Sequence, residues 1–364
     1  MRVLVVTTWL PTAATPESGV FVERDIDLIA REHEVEVVHL SSDRRPGAVA
    51  VPWPVHHVPM VAANPLSVAA ARRGLRPRLE GIDLVHTMAA STLLPFRRLD
   101  LSVPWVHTEH WSGLLAPSTV PLGARLAIPT TMRLLERPDV VVAVGRQLAA
   151  KIGETRRGPI TVIPNAVAST AEPVPRREPD GLLRLVGVGG LVARKGPGLA
   201  IAAAAELVRR GHDVQLDWVG EGPMRRELDA LVHESGLEGR VRFRGRLAPH
   251  EVGAVLGESD VFVLPTEHET FGVAIAEALA AGRPVVVGDV GEQAEFVREP
   301  DGVLVGERTA TAYADGVERV LAANAGRSAA DIAADVRSRF TEDARRTAYG
   351  EVYADAGRSS RARG

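Results

Sequence analysis

The sequence predicts an α/β protein made of two doubly wound units in tandem, and three observations lead to this prediction. Short β-branched runs such as VLVVTT (3–8) are apolar throughout, which is typical of strands buried on both faces of a parallel sheet. Amphipathic stretches such as GLAIAAAAELVRR (198–210) separate the runs and supply helical crossovers. With 364 residues the chain is long for one domain, so we expect two.

The predicted strands punctuate both halves of the chain. In the first half they are VLVVTT (3–8), VEVVHL (35–40), DLVHT (83–87), PWVHT (104–108) and DVVVAV (139–144). In the second half they are LRLVGVG (183–189), VQLDWVG (214–220), VRFRG (241–245), DVFVLP (260–265) and RPVVVG (283–288). Open parallel sheets bind ligands beyond the carboxyl ends of their strands, so we expect a cleft between those ends of the two sheets, with motifs in the loops that follow the strands.

The domain boundary is predicted within AVASTAEPVPRREPDGL (166–182), which combines proline with mixed charge and has no periodicity. We expect an N-terminal domain over 1–168, a linker over 169–182 and a C-terminal domain over 183–340. The segment 341–357 predicts a helix with no strand to pair with, so it should cross back to the N-terminal domain. The tail SSRARG (359–364) is expected to be disordered.

Composition excludes several classes of protein. A net charge of −3 argues against a nucleic-acid binder, which normally carries a basic excess. The absence of cysteine excludes a disulfide framework and a thiolate zinc site. The first residues, MRVLVVTTWLP, are too short an apolar run for a signal peptide, and no run is long enough to span a bilayer, so we expect a cytoplasmic protein.

Residues 266–288, TEHETFGVAIAEALAAGRPVVVG, place two glutamates eight positions apart around the start of an alanine-rich helix. Glu269 precedes the helix, and Glu277 lies inside it. Gly272 lets the backbone approach a ligand, and the N–H groups of the first turn favour an anion. A nucleotide sugar offers matching groups, because Glu277 can chelate a ribose diol while Glu269 faces the sugar. We reject a merely solvated pair, since an unpaired carboxylate among Ala and Ile is costly.

The stretch ETFGVAIAE followed by ALAAGRPVV resembles the E-x7-E segment of retaining GT-B glycosyltransferases, specifically glycosyltransferase family 4. Further similar stretches are VIPNAV (162–167), VGGLVARKG (188–196) and WVGEGPMRREL (218–228). VGEQAEFV with DGVLV (290–305) resembles the helix and strand that follow in the family. The resemblance covers most of the chain and implies the GT-B fold, with two Rossmann-like domains facing across a cleft. It implies transfer of a sugar from a nucleoside diphosphate, with UDP favoured, to an acceptor hydroxyl with retention, without a metal or cofactor.

The resemblance assigns the donor to the C-terminal domain. It implies that Glu277 binds the ribose and Lys195 the diphosphate. Lys195 is one of only two lysines, in a chain with 43 basic residues, which also sets it apart from an ordinary surface lysine. The family usually has an arginine where this chain has Gly190, and we expect Arg194 to replace it. The sugar and leaving group are assigned to Glu269 and to the backbone of Thr270, Phe271 and Gly272.

In the N-terminal domain the resemblance implies that His110 contacts the donor sugar and that the loop at Gly19 borders the diphosphate. His107 lies within the strand and is interpreted as a packing or orienting residue. The two histidines do not predict a metal site, because no third ligand accompanies them. The segment AARRGLRPRL (70–79) resembles the basic helix that touches anionic membranes in lipid-modifying relatives, but Pro77 favours an exposed loop.

The sequence does not contain either of two other nucleotide-binding motifs, the dinucleotide fingerprint and the P-loop. GVGGLV (187–192) begins as G-x-G but has Val192 where a dinucleotide fingerprint needs its third glycine, and no G-x-x-x-x-G-K-[ST] sequence exists. Three other functions stay open: a sugar-nucleotide epimerase, a disaccharide phosphorylase, and a non-catalytic nucleotide-sugar-binding partner of another transferase. The residues also leave open the donor sugar, the oligomeric state and the acceptor, which could be a small molecule, a glycan or a lipid-linked glycan.

Overall fold

The computed structural model describes residues 1–12, 15, 18–43, 51–167, 172–178 and 180–361. The chain forms two compact units: unit 1 is Met1–Asn165 with Glu342–Gly364, and unit 2 is Ala166–Thr341. Ala166 and Val167, which the sequence assigned to the N-terminal domain, therefore belong to unit 2. There Val167 is buried and donates its backbone N–H to the carbonyl of Phe340 at 2.9 Å. Residues 168–171 and 179 of the predicted linker lie outside the described residues.

Unit 1 is built on a parallel sheet with the strand order β3-β2-β1-β4-β5-β6-β7. Its strands are β1 (Arg2–Thr7), β2 (Glu34–Ser41), β3 (Val55–Pro59), β4 (Leu84–Met88), β5 (Trp105–Glu109), β6 (Val140–Ala143) and β7 (Ile160–Val162). The apolar runs of the sequence form its centre, where β1, β4, β5 and β6 are almost wholly buried. β3 and β7 were not predicted from the sequence, because these edge strands are only partly buried and lack the continuous apolar pattern.

The helices of unit 1 cover both faces of this sheet. Those that follow the strands are α1 (Val20–Ala30), α2 (Pro65–Leu75), α3 (Leu93–Phe96), α4 (Leu122–Leu134) and α5 (Arg146–Gly153). The side chains of β1 point alternately to the two faces of the sheet. Leu4 and Val6 pack with α2–α5, and Val3 and Val5 pack with α1. Short 3₁₀ turns lie at Arg76–Leu79, Ala90–Thr92, Ser112–Leu114 and Pro117–Thr119.

The basic segment 70–79 is helical, so the prediction of an exposed loop was wrong. It forms the end of α2 and the 3₁₀ turn Arg76–Leu79. Asn64 caps α2 by accepting hydrogen bonds from the N–H groups of Leu66 and Ser67, and Pro65 occupies the first helical position. Pro77 is tolerated because it lies in the first turn of the 3₁₀ segment, where a backbone N–H has no helical partner to lose.

Unit 2 has its own parallel sheet, in the order β10-β9-β8-β11-β12-β13. The strands are β8 (Leu182–Val188), β9 (Asp213–Val219), β10 (Val241–Gly245), β11 (Val261–Leu264), β12 (Val285–Gly288) and β13 (Gly302–Val305). The helices are α6 (Pro197–Arg209), α7 (Arg225–Glu234), α8 (Pro249–Glu258), α9 (Val273–Ala280), α10 (Ala310–Ala323) and α11 (Ala329–Arg339). Short 3₁₀ turns lie at Ala193–Lys195 and Gly291–Glu295, the second where the resemblance implied a helix. One buried cluster of aliphatic residues joins these layers.

The last helix, α12 (Glu342–Arg361), belongs to unit 1. Its Arg345 forms a buried ion pair with Asp25 of α1, and Tyr349 donates a hydrogen bond to the same carboxylate at 2.9 Å. Two guanidinium nitrogens of Arg345 bond Asp25, and the third donates to the carbonyl of Ile163 at 2.7 Å. The helix continues to Arg361, so residues 359–361 of the tail predicted as disordered are helical, and 362–364 lie outside the described residues.

Across the described ranges, no helix combines the length and the apolar character needed to cross a lipid bilayer.

Candidate functional site

In unit 2 the candidate residues lie in loops at the carboxyl ends of β8 and β11. The loop after β11 runs from Pro265 to Gly272, where α9 begins, and the loop after β8 leads through Ala193–Lys195 to Gly196, where α6 begins. Both helices begin at a glycine with positive φ, 72° at Gly196 and 89° at Gly272. Neither helix has a side-chain N-cap, so the N–H groups of its first turn are available to an anion.

Lys195 and Glu269 form an ion pair at this edge. Lys195 Nζ lies 2.5 Å from Glu269 Oε1, and the two side chains are only 16% and 11% exposed. Burial alone would raise the pKa of Glu269, but the charge and hydrogen bond of Lys195 outweigh it, with help from Arg194 and Thr266, so the pKa lies below its ordinary value. Glu269 is therefore an anion at neutral pH, although only 8% of the residue is exposed.

Thr266 donates a hydrogen bond to the same carboxylate oxygen of Glu269 as Lys195, and it was not predicted as a site residue. Its hydroxyl donates to Glu269 Oε1 at 2.9 Å, and the residue is buried. The signal that would have found it is a threonine two positions beyond the end of a buried strand, three residues before the loop glutamate. The O–H of such a threonine can donate to the carboxylate, and because the residue is buried, water does not compete for this hydrogen bond.

Backbone contacts fix the two loops to each other. The carbonyl of Arg194 accepts the N–H of Glu267 at 2.7 Å, and Arg194 itself is half-buried. A side chain at Gly196 would place its Cβ 2.2 Å from the carbonyl oxygen of Pro265, so only glycine allows this approach. The loop after β12 adds a third contact, since Glu292 donates its N–H to the carbonyl of Glu269 at 3.2 Å. The position of Glu269 is thus determined by three loops.

The remaining predicted donor residues lie at the start of α9. Phe271 is 3% exposed and packs against Phe296 and Phe340 at ring-centroid distances of 5.3 and 5.0 Å. Its side chain therefore belongs to the core, and only its backbone is available to a ligand. Thr270 and Glu277 are half-buried, with Glu277 inside α9. Gly190 stands where the family usually has an arginine. A Cβ added to Gly190 would lie 3.5 Å from the carbonyl oxygen of Glu221.

In unit 1, His110 directly follows β5 and is 6% exposed. Its ring lies 4.8 Å from the ring of Phe21 and 6.3 Å from that of Trp9, measured between centroids. Burial, with smaller contributions from the charges of Arg345 and His107, lowers the pKa of His110 well below its ordinary value. The imidazole is therefore neutral at physiological pH, which suits a hydrogen-bonding role better than an electrostatic one.

Glu109 is a buried carboxylate that the sequence analysis did not select. Its Oε1 accepts the backbone N–H groups of His110 at 2.9 Å and Trp111 at 2.8 Å, which fixes the turn that carries His110. Its Oε2 lies 3.3 Å from His107 Nε2, whose other ring nitrogen is 2.9 Å from the hydroxyl of Thr87. His107 thus orients a neighbour, as predicted for its place in the strand. The missed signal was an acidic residue ending a wholly buried strand.

Gly19 begins α1 with a φ of 76°. A Cβ at this position would lie 2.5 Å from the carbonyl carbon of Trp9, so close packing on Trp9 requires glycine here. The structure thus gives a steric reason for Gly19, and its contact with a diphosphate stays a prediction. Among the described residues, no group of three or more histidine, aspartate or glutamate side chains is placed to hold a metal ion.

Comparison with solved structures identifies the fold. Sucrose-phosphate synthase from Thermosynechococcus elongatus matches with a TM-score of 0.80 at 22% identity, over 97% of this chain and 98% of that one. Anabaena HepE in complex with UDP and glucose matches with a TM-score of 0.76 at 18% identity, over 97% and 99%. At these identities the likeness concerns the fold alone, and it confirms the predicted pair of Rossmann-like domains.

Two family models account for most of the sequence. A model of glycosyltransferase family 4 matches residues 27–170, and a model of glycosyl transferases group 1 matches residues 170–346. The chain belongs to the GT-B glycosyltransferases. The 2-deoxystreptamine glucosyltransferase of Streptomyces kanamyceticus is 35% identical over 241 residues, which are 61% of this GT-B chain and 62% of that protein. The chain thus spans less than two thirds of the length of the curated relatives it matches first.

Proposed function

We propose that this GT-B chain is a retaining glycosyltransferase that moves a sugar from a nucleoside diphosphate to an acceptor hydroxyl and forms an α-glycoside. The observation that carries the proposal is the buried pair of Lys195 and Glu269 at the starts of α6 and α9. A diphosphate needs cations and helix N-termini, and a sugar needs a fixed acceptor of hydroxyl hydrogen bonds. Unit 2 supplies all of these within two adjoining loops.

Lys195 can bind the diphosphate and keep its hydrogen bond to Glu269 at the same time. An ammonium group has three N–H donors, and Glu269 Oε1 takes one of them. The other donors, together with Arg194 and the first-turn N–H groups, are proposed to bind the phosphate oxygens. Glu277 is proposed to bind the ribose diol, and Glu269 with the backbone of residues 270–272 the sugar. UDP is the favoured nucleotide, and the presence of UDP in the HepE complex supports this choice.

The proposed chemistry depends on stabilising the leaving group. The bond between the anomeric carbon and the phosphate oxygen breaks with its electron pair on that oxygen, and cations near it lower the energy of the developing charge. The acceptor oxygen forms the new bond on the same face of the sugar, and its proton passes to the departing phosphate oxygen. His110, neutral because of burial, is proposed to bond a sugar hydroxyl. No step requires a metal ion, so we propose that EDTA leaves turnover unchanged.

A donor screen tests the proposal. The full chain is incubated with UDP-, GDP- and ADP-sugars, with and without candidate acceptors, and released nucleotide and the anomeric configuration of the product are measured. Nucleotide released only with an acceptor, and an α-configured product, supports the proposal. Isomerised sugar without nucleotide loss would indicate an epimerase, and release driven by phosphate alone a phosphorylase. Binding of a nucleotide sugar without any turnover would leave a non-catalytic partner.

A further inference from the structure

A cluster of aromatic rings lies beside His110 in unit 1 and has no role in the donor chemistry above. Trp9 follows β1 after one residue, and its ring centroid lies 5.8 Å from that of Phe21 and 6.3 Å from that of His110. Both Trp9 and Phe21 are only partly buried. Aromatic residues make up only 4% of the chain, so a tryptophan that stays partly exposed beside a buried histidine is a candidate for ligand contact.

Two hydroxyl groups lie at the same edge of the sheet. Thr8 Oγ1 is 2.8 Å from Ser91 Oγ, and both residues are partly exposed. Thr8 follows β1 and Ser91 lies in the 3₁₀ turn after β4. The two strands are neighbours whose last paired residues are Thr7 and Met88, so both hydroxyls lie beyond the same carboxyl ends. One of the two hydroxyls donates to the other, so the pair keeps one O–H donor for a ligand, and both oxygens can accept hydrogen bonds from it.

The turn that carries Ser91 is held in an unusual backbone conformation. Ala89 has φ 82° and ψ 138°, and it is the one non-glycine residue with positive φ among those described. Its carbonyl accepts the N–H and the hydroxyl of Thr92 at 3.0 and 2.6 Å, and its N–H donates to the carbonyl of Thr108 at 3.2 Å. Strain retained by surrounding bonds in this way is typical of functional turns, where it fixes a side chain in advance.

The backbone of Trp9 is also held by contacts. Its backbone N–H donates to the hydroxyl of Thr7 at 3.0 Å, and the close approach of Gly19 supports its carbonyl carbon. Partly exposed Trp9 directly follows Thr8, so an aromatic ring and two hydroxyl groups lie in adjoining turns at one edge of the sheet. This combination matches a ligand that has an apolar face and a polar rim. The C–H bonds on one face of a hydroxylated six-membered ring carry slight positive charge and stack on the negative face of an aromatic ring, while its hydroxyls point outward.

We propose that Trp9, Thr8 and Ser91 form an acceptor subsite for a hydroxylated six-membered ring, either a pyranose or a cyclitol. Trp9 contacts the C–H face, and the two hydroxyls bond the rim. This assignment rests on the proposed transferase function, because it names the acceptor class of the same reaction. It excludes open-chain alcohols as preferred acceptors, since these have no flat C–H face to stack.

Ligand-observed saturation-transfer NMR tests the subsite on the full chain, with and without UDP. The probes are methyl α-D-glucopyranoside, myo-inositol and sorbitol, which has the hydroxyls without the ring. We expect saturation of at least one ring probe and none of sorbitol, and the two ring probes separate pyranose from cyclitol recognition. Absence of both ring signals, or equal signals from sorbitol, would overturn the subsite.

Variants locate the contact. Trp9→Leu keeps apolar bulk but removes the aromatic face, and we expect the ring signal to fall at least fivefold. Trp9→Phe should restore most of it, and Ser91→Ala should weaken it without affecting the packing of Trp9. An unchanged ring signal in both Trp9→Leu and Ser91→Ala contradicts the subsite. Circular dichroism and thermal melting of each variant check that unit 1, which carries both substitutions, remains folded, and titration of UDP checks unit 2. Wild-type protein that binds neither UDP nor a nucleotide sugar would contradict the transferase function instead, and the ring signals would still decide the subsite.

Discussion

Lys195 Nζ lies 2.5 Å from Glu269 Oε1 and joins two loops that are 74 residues apart in the sequence. Each charge compensates the burial of the other, so neither residue can be changed without affecting its partner. The donor site proposed for unit 2 is therefore organised around a pair of opposite charges, and variants of the two residues should be interpreted together.

Lys195→Ala should weaken the binding of UDP while leaving the binding of uridine nearly unchanged, because the ammonium is proposed to contact phosphate. A hydrogen bond between charged groups is worth about 1.5–3 kcal/mol, which corresponds to a loss of affinity of roughly 10- to 150-fold. Isothermal titration calorimetry with both ligands measures the difference. The other lysine supplies a matched control, since Lys151 lies in α5 of unit 1 and pairs with Glu154. Equal losses for UDP and uridine would contradict the assignment.

Glu269→Gln should lower kcat strongly and should also make thermal stability less dependent on pH. The pKa of Glu269 is lowered in the folded protein, so its carboxylate stabilises the fold above the unfolded value of 4.5 and loses this contribution as pH falls through the folded value. The difference in melting temperature between wild type and Glu269→Gln should therefore be largest near pH 7 and shrink below about pH 4.5. A difference that grows on acidification would show that the pairing does not act as described.

Thr266→Val should reduce kcat by about tenfold and lower stability by about 1.5–3 kcal/mol, because valine has nearly the shape of threonine but removes a buried hydrogen bond to the Glu269 carboxylate. Thr266→Ser keeps the hydroxyl and should retain most of the activity. Steady-state kinetics with a saturating donor separates kcat from KM. If both variants behave alike, the methyl group matters rather than the hydroxyl.

His110→Ala should cut turnover while changing UDP affinity less than threefold, since the residue is proposed to contact the sugar. The lowered pKa of His110 also predicts that kcat has no inflection from this residue between pH 6 and 8. A pH profile of kcat for the wild type and for His110→Asn gives the comparison. An inflection near pH 6.5 that disappears in the variant would mean that the imidazole titrates in the working enzyme.

Asp25→Asn should destabilise unit 1 by about 3–5 kcal/mol, the cost of leaving Arg345 buried without its charge partner. The exposed pair of Arg31 with Glu342 also joins α1 to α12, so Glu342→Gln is a matched control with an expected effect of about 0–1 kcal/mol. Chemical denaturation followed by tryptophan fluorescence measures the free energy of unfolding of both variants, and the tryptophans of unit 1 that report on it are Trp9, Trp53, Trp105 and Trp111. Similar losses in the two variants would contradict a special role for the buried pair.

The sequence alone predicted the parallel sheets because their central strands are apolar throughout, a pattern that burial on both faces requires. It missed β3 and β7, whose edge positions relax that requirement, and it misread segment 70–79 because Pro77 was expected to end the helical pattern. In the site, the glutamates and the glycine around the start of α9 were predicted from their spacing in the sequence. The contact of Lys195 with Glu269 was not, since it depends on how strands distant in sequence pair. The hydrogen bonds from His110 and Trp111 to Glu109 join close neighbours in the chain, but they depend on the backbone conformation of the turn after β5, which the residue pattern does not specify.

The insertion of unit 2 between the two segments of unit 1 has a consequence for biosynthesis. Asp25 is translated 320 residues before its partner Arg345, so its carboxylate lacks this counter-ion until all of unit 2 and the start of α12 have been made. The contiguous middle portion can mature on the ribosome first, and the earlier portion must wait for the closing helix. Truncation shortly before residue 342 should therefore yield a chain that aggregates through its amino-terminal part, although the later-translated middle is complete.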